Sequence, residues 1–302
     1  MPRGAVVLLA ALLVPAPVRA QSGPALSLRV DGRWVTWWEA ERAPSRWVAP
    51  LPEVSEAVTW RPAADGLEWG ELTLSGAGSA WRIRVILARL DPARLSFRVL
   101  VPPRRDDGFA GRWTIDDAPA GTLLALNAGQ FTSGPWGWIV QDGVVRQRPG
   151  TGPLAPGVLF LRDGRVAMPP PDSLAEDGVA EAFQSYPALL MGDGEVPLPL
   201  RAADHGVDLT HRDSRLAFGL LRDGRVLIAL TRFEGLGGVL EVVPFGFTTP
   251  EMAAVMGALG CARAVLLDGG LSGQMMLLEQ GKERRWPGLR GVAAGLVVTK
   301  RN

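Results

Sequence analysis

The amino-acid sequence predicts an α+β fold with a β-dominated mixed sheet core and a few helices. Short segments in which apolar and polar residues alternate recur from residue 70 onward, as in half-buried strands. Asp-Gly pairs separate many of these segments, which is the usual signal of a hairpin turn. One stretch, residues 249–259, stands out as a helix by its spacing and its end signals. With 302 residues, 47% of them hydrophobic, the chain can form one large or two modest domains.

The N-terminus has the pattern of a secretion signal. Arg3 precedes an apolar run over residues 5–14, and Ala20 supplies a small residue at a cleavage point before Gln21. The run is too short to span a bilayer, so we expect residues 1–20 to be removed and no transmembrane anchor to remain. These features predict a secreted or periplasmic protein.

The charge of the mature chain excludes some classes of partner. Without Arg3 and Arg19, 30 basic side chains remain against 31 acidic ones, which argues against a nucleic-acid footprint or a polybasic membrane patch. The single cysteine, Cys261, cannot form an internal disulfide and is expected to be a small buried hydrophobe. The two histidines have no partner cluster that would support a zinc site. No cofactor is predicted, and a metal held by carboxylates stays an open question.

Composition divides the mature chain into two parts. Residues 21–69 are rich in tryptophan and proline and are predicted to be a β-rich lead-in, with a partly ordered segment as the alternative. Tryptophans in secreted proteins can stack on sugars, but packing explains them at least as well. Residues 70–302 have the more regular pattern and form the main predicted domain.

Strands and hairpins follow one another within the main domain. The first three strands are predicted at residues 71–75, 81–90 and 94–101. The clearest hairpin joins residues 216–221 to residues 225–231. The Asp-Gly pairs that predict turns begin at Asp142, Asp163, Asp193 and Asp223.

A helix followed by a strand is predicted near the C-terminus. Thr249 is expected to cap the helix at residues 249–259, with Pro250 at its first position and Gly260 as its stop. The strand that follows, residues 264–267, is short and apolar, as in a strand buried on both faces.

This short strand ends in Asp268, Gly269 and Gly270, and Ser272 follows. Two glycines let the backbone turn tightly or come close to a ligand. A buried strand that ends in a carboxylate on such backbone is a common way to build a site, although an ordinary Asp-Gly turn is the simpler interpretation.

Three further polar motifs stand at the ends of apolar strands. They are Asn-Ala-Gly-Gln-Phe (127–131), Gln-Ser-Tyr-Pro (184–187) and Arg-Asp-Ser-Arg (212–215). Taken singly each motif is weak, because such residues often only form turns. Their recurrence where strands end predicts a site assembled from several strand ends.

Taken in order, four motifs resemble the phosphodiester glycosidase family over roughly residues 70–302. They are Leu-Asn-Ala-Gly-Gln-Phe (126–131), Gln-Ser-Tyr-Pro-Ala-Leu-Leu (184–190), Ser-Arg-Leu-Ala-Phe-Gly (214–219) and Leu-Asp-Gly-Gly-Leu-Ser (267–272). The sequence departs from the family pattern at four positions. Glycine, an aromatic residue, threonine and glycine are usual where this chain has Ala128, Gln130, Leu216 and Leu271. These departures bear on the substrate more than on the fold.

The resemblance implies hydrolysis of a sugar-1-phosphodiester at the anomeric carbon, with a carbohydrate or sugar-phosphate as the partner. Asp268 would stabilise the oxocarbenium-like centre, attack it or activate water, and Arg215 would hold the phosphate. Asn127 completes the predicted catalytic set. The expected substrate-binding residues are Gly129, Gln184, Ser185, Arg212, Gly269, Gly270 and Ser272.

The chemistry of these groups gives each an expected contact. Asn127 and Gln184 would bind sugar hydroxyls. Ser272 would contact the phosphate together with the backbone amides of Gly269 and Gly270.

Two other functions stay open at this point. An exported glycan-binding or envelope-assembly protein on the same scaffold would bind sugar phosphates without turnover, which the altered first motif and the tryptophan-rich segment favour. A transferase would pass the sugar to an alcohol rather than to water.

Overall fold

The structure of the protein is a computed structural model that describes five stretches of the chain. They are residues 23–103, 111–131, 134–203, 205–234 and 245–301. The predicted secretion signal at residues 1–20 lies outside the described residues. Of the helices that the structure describes, none combines the length and the apolar character needed to cross a membrane.

Strands dominate the described residues, and two α-helices accompany them. The helices are α1 (Pro52–Ser55) and α2 (Thr249–Ala258). The strands are β1 (Ala25–Val30), β2 (Arg33–Glu39), β3 (Arg61–Ala64), β4 (Leu67–Ser75), β5 (Ile83–Leu90), β6 (Leu95–Leu100), β7 (Leu124–Asn127), β8 (Gln130–Phe131), β9 (Pro135–Trp136), β10 (Ile139–Gln141), β11 (Val144–Gln147), β12 (Gly157–Leu161), β13 (Val166–Ala167), β14 (Val179–Gln184), β15 (Ala188–Leu190), β16 (Leu216–Leu221), β17 (Val226–Phe233), β18 (Cys261–Leu267), β19 (Met275–Glu279), β20 (Lys282–Trp286) and β21 (Gly295–Lys300).

The strands form three larger sheets and one two-stranded ribbon. The large sheet has nine strands in the order β15-β18-β16-β17-β5-β4-β1-β2, with β3 beside β4. The second sheet has the order β11-β10-β14-β12-β13, and the third sheet has the order β20-β19-β7-β21-β6. Strands β8 and β9 form the ribbon.

The β-dominated core is confirmed, but the prediction of a mixed sheet is wrong. Every strand pair within the described residues is antiparallel. Short hairpins connect many neighbours, and short turns can join only antiparallel strands. The helix–strand unit does not create a parallel pair, because β16 lies between β17 and β18 and pairs with both.

The N-terminal segment contributes strands to the large sheet. Strand β1 pairs with β4 through Ser27 and Leu28, and β3 pairs with the other end of β4. Trp38 and Trp47 are buried in the core beside α2, whereas Trp34 is exposed. Trp69, at the end of the segment, is also buried, so packing accounts for at least three of its tryptophans.

Helix α2 covers one face of the large sheet and has a complete N-terminal cap. The cap is Thr248 rather than the predicted Thr249, because the Thr248 hydroxyl accepts from the Glu251 amide (3.3 Å) and the Glu251 carboxylate accepts from the Thr248 amide (2.8 Å). Pro250 is consequently the second helical residue, not the first. At the other end Gly260 has φ 94°, as a helix stop requires.

A phenylalanine cluster joins the three sheets on the other face of the large sheet. Phe160 of the second sheet stacks on Phe97 of the third sheet with ring centroids 4.6 Å apart. Phe218 of the large sheet meets Phe160 and Phe183 edge to face, at 6.0 Å from each. This core holds the ends of β7, β14 and β18 close to one another.

Candidate active site

A cavity of about 690 Å³ opens where β16 begins and β18 ends. These two ends meet because the strands are antiparallel neighbours, with Leu216 paired to Leu267. Arg215 and Asp268 directly flank that pair and both line the cavity. The cavity is lined by Gln130, Phe131, Trp136, Thr151, Gly152, Tyr186, Pro187, Gly206, Val207, Asp208, His211, Asp213, Ser214, Arg215, Thr249, Leu266, Leu267, Asp268, Gly269 and Gly270.

Asp268 presents a carboxylate that is largely withdrawn from water. Its Oδ2 atom is buried without a hydrogen-bond partner among the described residues. Burial is the main cause that raises the pKa of Asp268, the charge of Asp213 adds to it, and the Ser272 side chain and Arg290 oppose it. The net pKa is about 6. Near neutral pH the group therefore exchanges a proton readily, as a general base or acid must.

The two glycines after Asp268 allow a close backbone approach. A Cβ atom on Gly269 would lie 2.5 Å from the Ser214 carbonyl oxygen, and one on Gly270 would lie 2.7 Å from Asp213 Oδ2. Gly270 also has φ +55°, which strains other residues. Its amide donates to the Ser214 carbonyl at 2.7 Å. In this structure the Gly270 amide therefore has a protein partner in place of the expected contact with a phosphate.

Asn127 fixes the loop that carries Asp268. The side chain is fully buried, and its Nδ2 donates to the carbonyls of Asp268 and Ser272, each at 2.8 Å. The Gly129 carbonyl accepts from the Asp268 amide at 2.9 Å. Asn127 and Gly129 thus support Asp268 from the end of β7, and neither lines the cavity.

Arg215 brings a cation to the cavity wall. Its Nε donates to the Phe247 carbonyl (2.8 Å) and its Nη2 to the His211 carbonyl (2.6 Å). Burial lowers the pKa of Arg215 from its usual value, and the nearby carboxylates of Asp213 and Glu251 oppose this effect. An arginine nevertheless stays charged. Within the described part of the chain, Nη1 has no hydrogen-bond partner, so it is available to an anion.

Arg212 has a different role from the predicted one. Its guanidinium forms a bidentate pair with Glu251, at 2.6 and 2.8 Å, and Glu251 is fully buried. Glu251 is also the capping residue of α2. Arg212 therefore ties the loop before β16 to the helix and does not line the cavity.

Gln184 and Ser185 also hold the protein together around the cavity. The Gln184 carboxamide accepts from the amides of Trp138 (3.0 Å) and Gly150 (2.7 Å). It donates to the carbonyls of Gly150 (3.1 Å) and Ala155 (2.7 Å), so it has no free donor for a sugar hydroxyl. The buried Ser185 hydroxyl donates to the Leu266 carbonyl. Both residues fix segments that border the cavity rather than facing it.

The motif departures have modest structural consequences. Leu271 is 39% exposed and lies outside the cavity lining, so it does not narrow the cavity. Ala128 is buried, and Gln130 lines the cavity with its Nε2 donating to the Tyr186 carbonyl at 2.9 Å. The substitution at Gln130 is therefore the one that changes the cavity surface.

The sequence did not assign a role to several polar residues of the cavity, among them His211 and Asp213. His211 and Asp213 line it, with His211 Nε2 3.6 Å from Asp213 Oδ2. Burial raises the pKa of Asp213, while Arg215 and the Ser214 amide oppose the shift. The available signal was the position of Asp213 two residues before Arg215 at the start of β16. Throughout the described ranges, His, Cys, Asp and Glu side chains form no group of three or more suited to a metal ion.

Comparison with known proteins relates this arrangement to one family. The family model described as phosphodiester glycosidase matches residues 120–299, which is more than half of the chain. The match includes the segments of Asn127, Gln184, Arg215 and Asp268. A search of curated protein sequences found no match.

Solved structures share the fold at low sequence identity. The zebrafish N-acetylglucosamine-1-phosphodiester alpha-N-acetylglucosaminidase catalytic domain, auto-inhibited by its pro-peptide, is 17% identical with a TM-score of 0.60, over 86% of this chain and 94% of that chain. A hypothetical protein from Synechocystis is 15% identical with a TM-score of 0.52, over 92% and 68% of the two chains. A predicted exported protein from Burkholderia pseudomallei is 17% identical with a TM-score of 0.50, over 75% and 76%. At these identities the likeness concerns the fold alone.

Replacing Asn127 tests its role in holding the Asp268 loop. Asn127→Ala leaves two carbonyl oxygens without a donor, and we expect it to lower the free energy of unfolding by about 2–4 kcal/mol in urea denaturation. Asn127→Asp keeps the shape but puts a carboxylate oxygen against those carbonyls, so it should be at least as damaging. Wild-type stability in Asn127→Asp would show that shape alone matters.

The pH dependence of stability tests the burial of Asp268. Because the folded-state pKa is about 6 and the ordinary value is near 4, the unfolded chain ionises first as pH rises. Asp268 therefore destabilises the fold increasingly between pH 4 and pH 6 and fully above that range. Asp268→Asn should be more stable than wild type at pH 7.5 by about 2–3 kcal/mol, converging with it near pH 4. Exposed Asp177→Asn is the control; equal effects of both variants would contradict the account.

Proposed function

The chain belongs to the phosphodiester glycosidase family, and from this premise we propose that it is an exported hydrolase that cleaves sugar-1-phosphodiesters in an envelope or extracellular glycan. The observation that carries the proposal is the buried Asp268 carboxylate in the same cavity as the Arg215 guanidinium. The reaction needs both a group that acts at the anomeric carbon and a cation for the phosphate.

Asp268 supplies the group at the anomeric carbon. Its raised pKa keeps it mostly ionised above about pH 6 and still basic enough to take a proton. In this state it can activate water, attack the carbon or stabilise positive charge on the sugar. Asp268 lines the cavity, and its Oδ2 atom has no hydrogen-bond partner among the described residues, which favours a reactive role over a structural one.

Arg215 supplies the cation for the phosphate. Two of its donor nitrogens are fixed by the carbonyls of Phe247 and His211, so the guanidinium is oriented before a ligand arrives. The donors on Nη1 remain for a phosphate oxygen. A phosphate ester is already a good leaving group, so charge stabilisation by Arg215 matters more here than in ordinary glycosidases.

The cavity size and aromatic lining fit a sugar. A volume of about 690 Å³ suits a monosaccharide with its phosphate and part of an aglycone. Phe131, Trp136 and Tyr186 border it and offer faces on which a sugar ring can pack.

Export is proposed from the N-terminal sequence. Residues 1–20 have the basic start, short apolar core and small residue of a cleaved signal. A secreted or periplasmic location would bring the enzyme to envelope or extracellular glycans.

The test is a time course of sugar release from a panel of sugar-1-phosphodiesters. Wild type should release free sugar and a phosphomonoester, Asp268→Ala should lower kcat by about 10²–10⁴-fold, and Arg215→Ala should lower kcat/KM by about 10²–10³-fold. In ¹⁸O-labelled water the label should enter the sugar hydroxyl, because the bond that breaks is the one to the anomeric carbon.

Matched controls are the exposed residues Asp177 and Arg146, whose variants Asp177→Asn and Arg146→Ala should match wild type. Label found in the phosphate would contradict glycosidase chemistry. Binding without release across the panel would favour the glycan-binding alternative, and transfer to an added alcohol acceptor would favour a transferase.

A further inference from the structure

The cavity contains a histidine–carboxylate pair that the proposed roles of Asp268 and Arg215 do not use. His211 Nε2 lies 3.6 Å from Asp213 Oδ2, and both residues line the cavity. The His211 side chain is 61% exposed, whereas that of Asp213 is 22% exposed. His211 can therefore reach a bound ligand, while Asp213 sits behind it as a mostly covered charge.

Backbone contacts hold both members of the pair. Asp213 Oδ1 accepts from the Ser214 amide at 2.8 Å, and the Asp213 amide donates to the Phe247 carbonyl at 3.2 Å. Gly270 faces Asp213 Oδ2, and a side chain there would fill the space beside the carboxylate. Asp213 is thus held by the Phe247 carbonyl and by the amide of its neighbour Ser214, with Gly270 close beside its carboxylate.

The His211 backbone is bonded to the proposed phosphate anchor. Its carbonyl accepts from Arg215 Nη2 at 2.6 Å, and its amide donates to Asp208 Oδ1 at 3.0 Å. Because the same guanidinium would hold the phosphate, this contact places residue 211 next to the expected phosphate site, and both residues line the cavity. Asp268 lies in the loop after β18, two residues before Gly270, and Gly270 is next to the Asp213 carboxylate.

A phosphodiester also brings negative charge into an acidic cavity. Asp208, Asp213 and Asp268 line it. Against them stand Arg215 and, when protonated, His211. A second cation that can also give up a proton would suit this charge balance.

We propose that His211 is the general acid that protonates the leaving phosphate and that Asp213 is the residue that positions it. This inference rests on the proposed function and assigns the group in the same cavity that protonates the leaving phosphate. The imidazolium faces the Asp213 carboxylate and donates its proton to the phosphate oxygen that departs from the sugar.

The step is balanced in atoms and charge. The bond between the anomeric carbon and the phosphate oxygen breaks, and its electron pair stays on that oxygen. The oxygen takes the proton of His211, which gives a phosphomonoester monoanion and neutral imidazole. The water that replaces the phosphate on the sugar loses one proton, so the site regains the proton that it gave.

Several charged groups surround His211 and its partner Asp213. From its own loop and the start of β16, Asp208, Asp213 and Arg215 interact with it or with its partner. Asp268 interacts with Asp213 from the loop after β18, and Arg290 interacts with Asp268. The buried Glu251 and its partner Arg212 act on Arg215 from the α2 side.

The experiment measures kcat and KM against pH for sugar-1-phosphodiester hydrolysis. The variants are His211→Gln and Asp213→Asn, with the exposed His205→Gln as the matched control. A general acid must be protonated, so the wild-type rate should fall on the alkaline side of a histidine titration. His211→Gln should lower kcat by about 10²-fold, the low end for a general acid because the phosphate is already a good leaving group. It should also abolish that alkaline limb and leave KM nearly unchanged.

Asp213→Asn provides a readout that a merely structural role would not move. The side-chain carbonyl oxygen of the asparagine can still accept from the Ser214 amide, but the imidazolium loses its ionic partner. Asp213→Asn should therefore lower kcat while leaving KM nearly unchanged, a split that a general loss of structure would not give. His205→Gln should keep the wild-type profile.

The possible failures are distinguishable. If wild type releases sugar and His211→Gln keeps both its kcat and its alkaline limb, the role of His211 is wrong and the proposed function stands. A rise in KM alone, with the profile intact, would make His211 a phosphate-binding cation and would also overturn the inference. If wild type releases no sugar from any phosphodiester, the proposed function itself fails and the inference fails with it.

Discussion

The geometry of the cavity depends on the carboxamide of Asn127. This side chain is fully buried at the end of β7, and its Nδ2 spans the carbonyls of Asp268 and Ser272 at 2.8 Å each. The Gly129 carbonyl holds the Asp268 amide from the same strand end. The third sheet thus fixes a loop that belongs to the large sheet. Because the loop cannot swing outward, the Asp268 carboxyl stays desolvated, whereas an unrestrained charge would relax toward water.

The remaining polar groups are of two kinds: those that line the cavity, and those behind them that hold the surrounding segments in place. Asp268, Arg215, His211 and Asp213 line the cavity, and each keeps an incompletely satisfied or titratable group there. Behind them the Gln184 carboxamide has four protein partners. Satisfied buried networks make a structure rigid, and unsatisfied groups cost stability and concentrate at functional sites. The supporting network therefore offsets the strain of keeping an ionisable group buried.

Much of this arrangement was predictable from the sequence, because polar motifs at strand ends indicated where the site would form. Asp268 and Arg215 follow from that logic once β16 and β18 are antiparallel neighbours. The roles of Asn127 and Gln184 were not predictable. A carboxamide bonds whatever the fold brings near, and the Asn127 partner Asp268 lies 141 residues away in the chain. His211 and Asp213 were not predicted as site residues because they precede β16 in a segment without a periodic pattern. Their place in the cavity depends on the fold, which brings Gly270 of the loop after β18 next to Asp213.

The titration of the Asp268 carboxyl tests the account most directly. The side-chain carboxyl carbon can be followed by ¹³C NMR in protein labelled at aspartate, with Asp268→Asn identifying the resonance. We expect a midpoint near pH 6, since burial raises the pKa of Asp268 to about 6. A midpoint near pH 4, the ordinary value for an exposed aspartate, would show that the carboxyl is solvated and would contradict the role assigned to it.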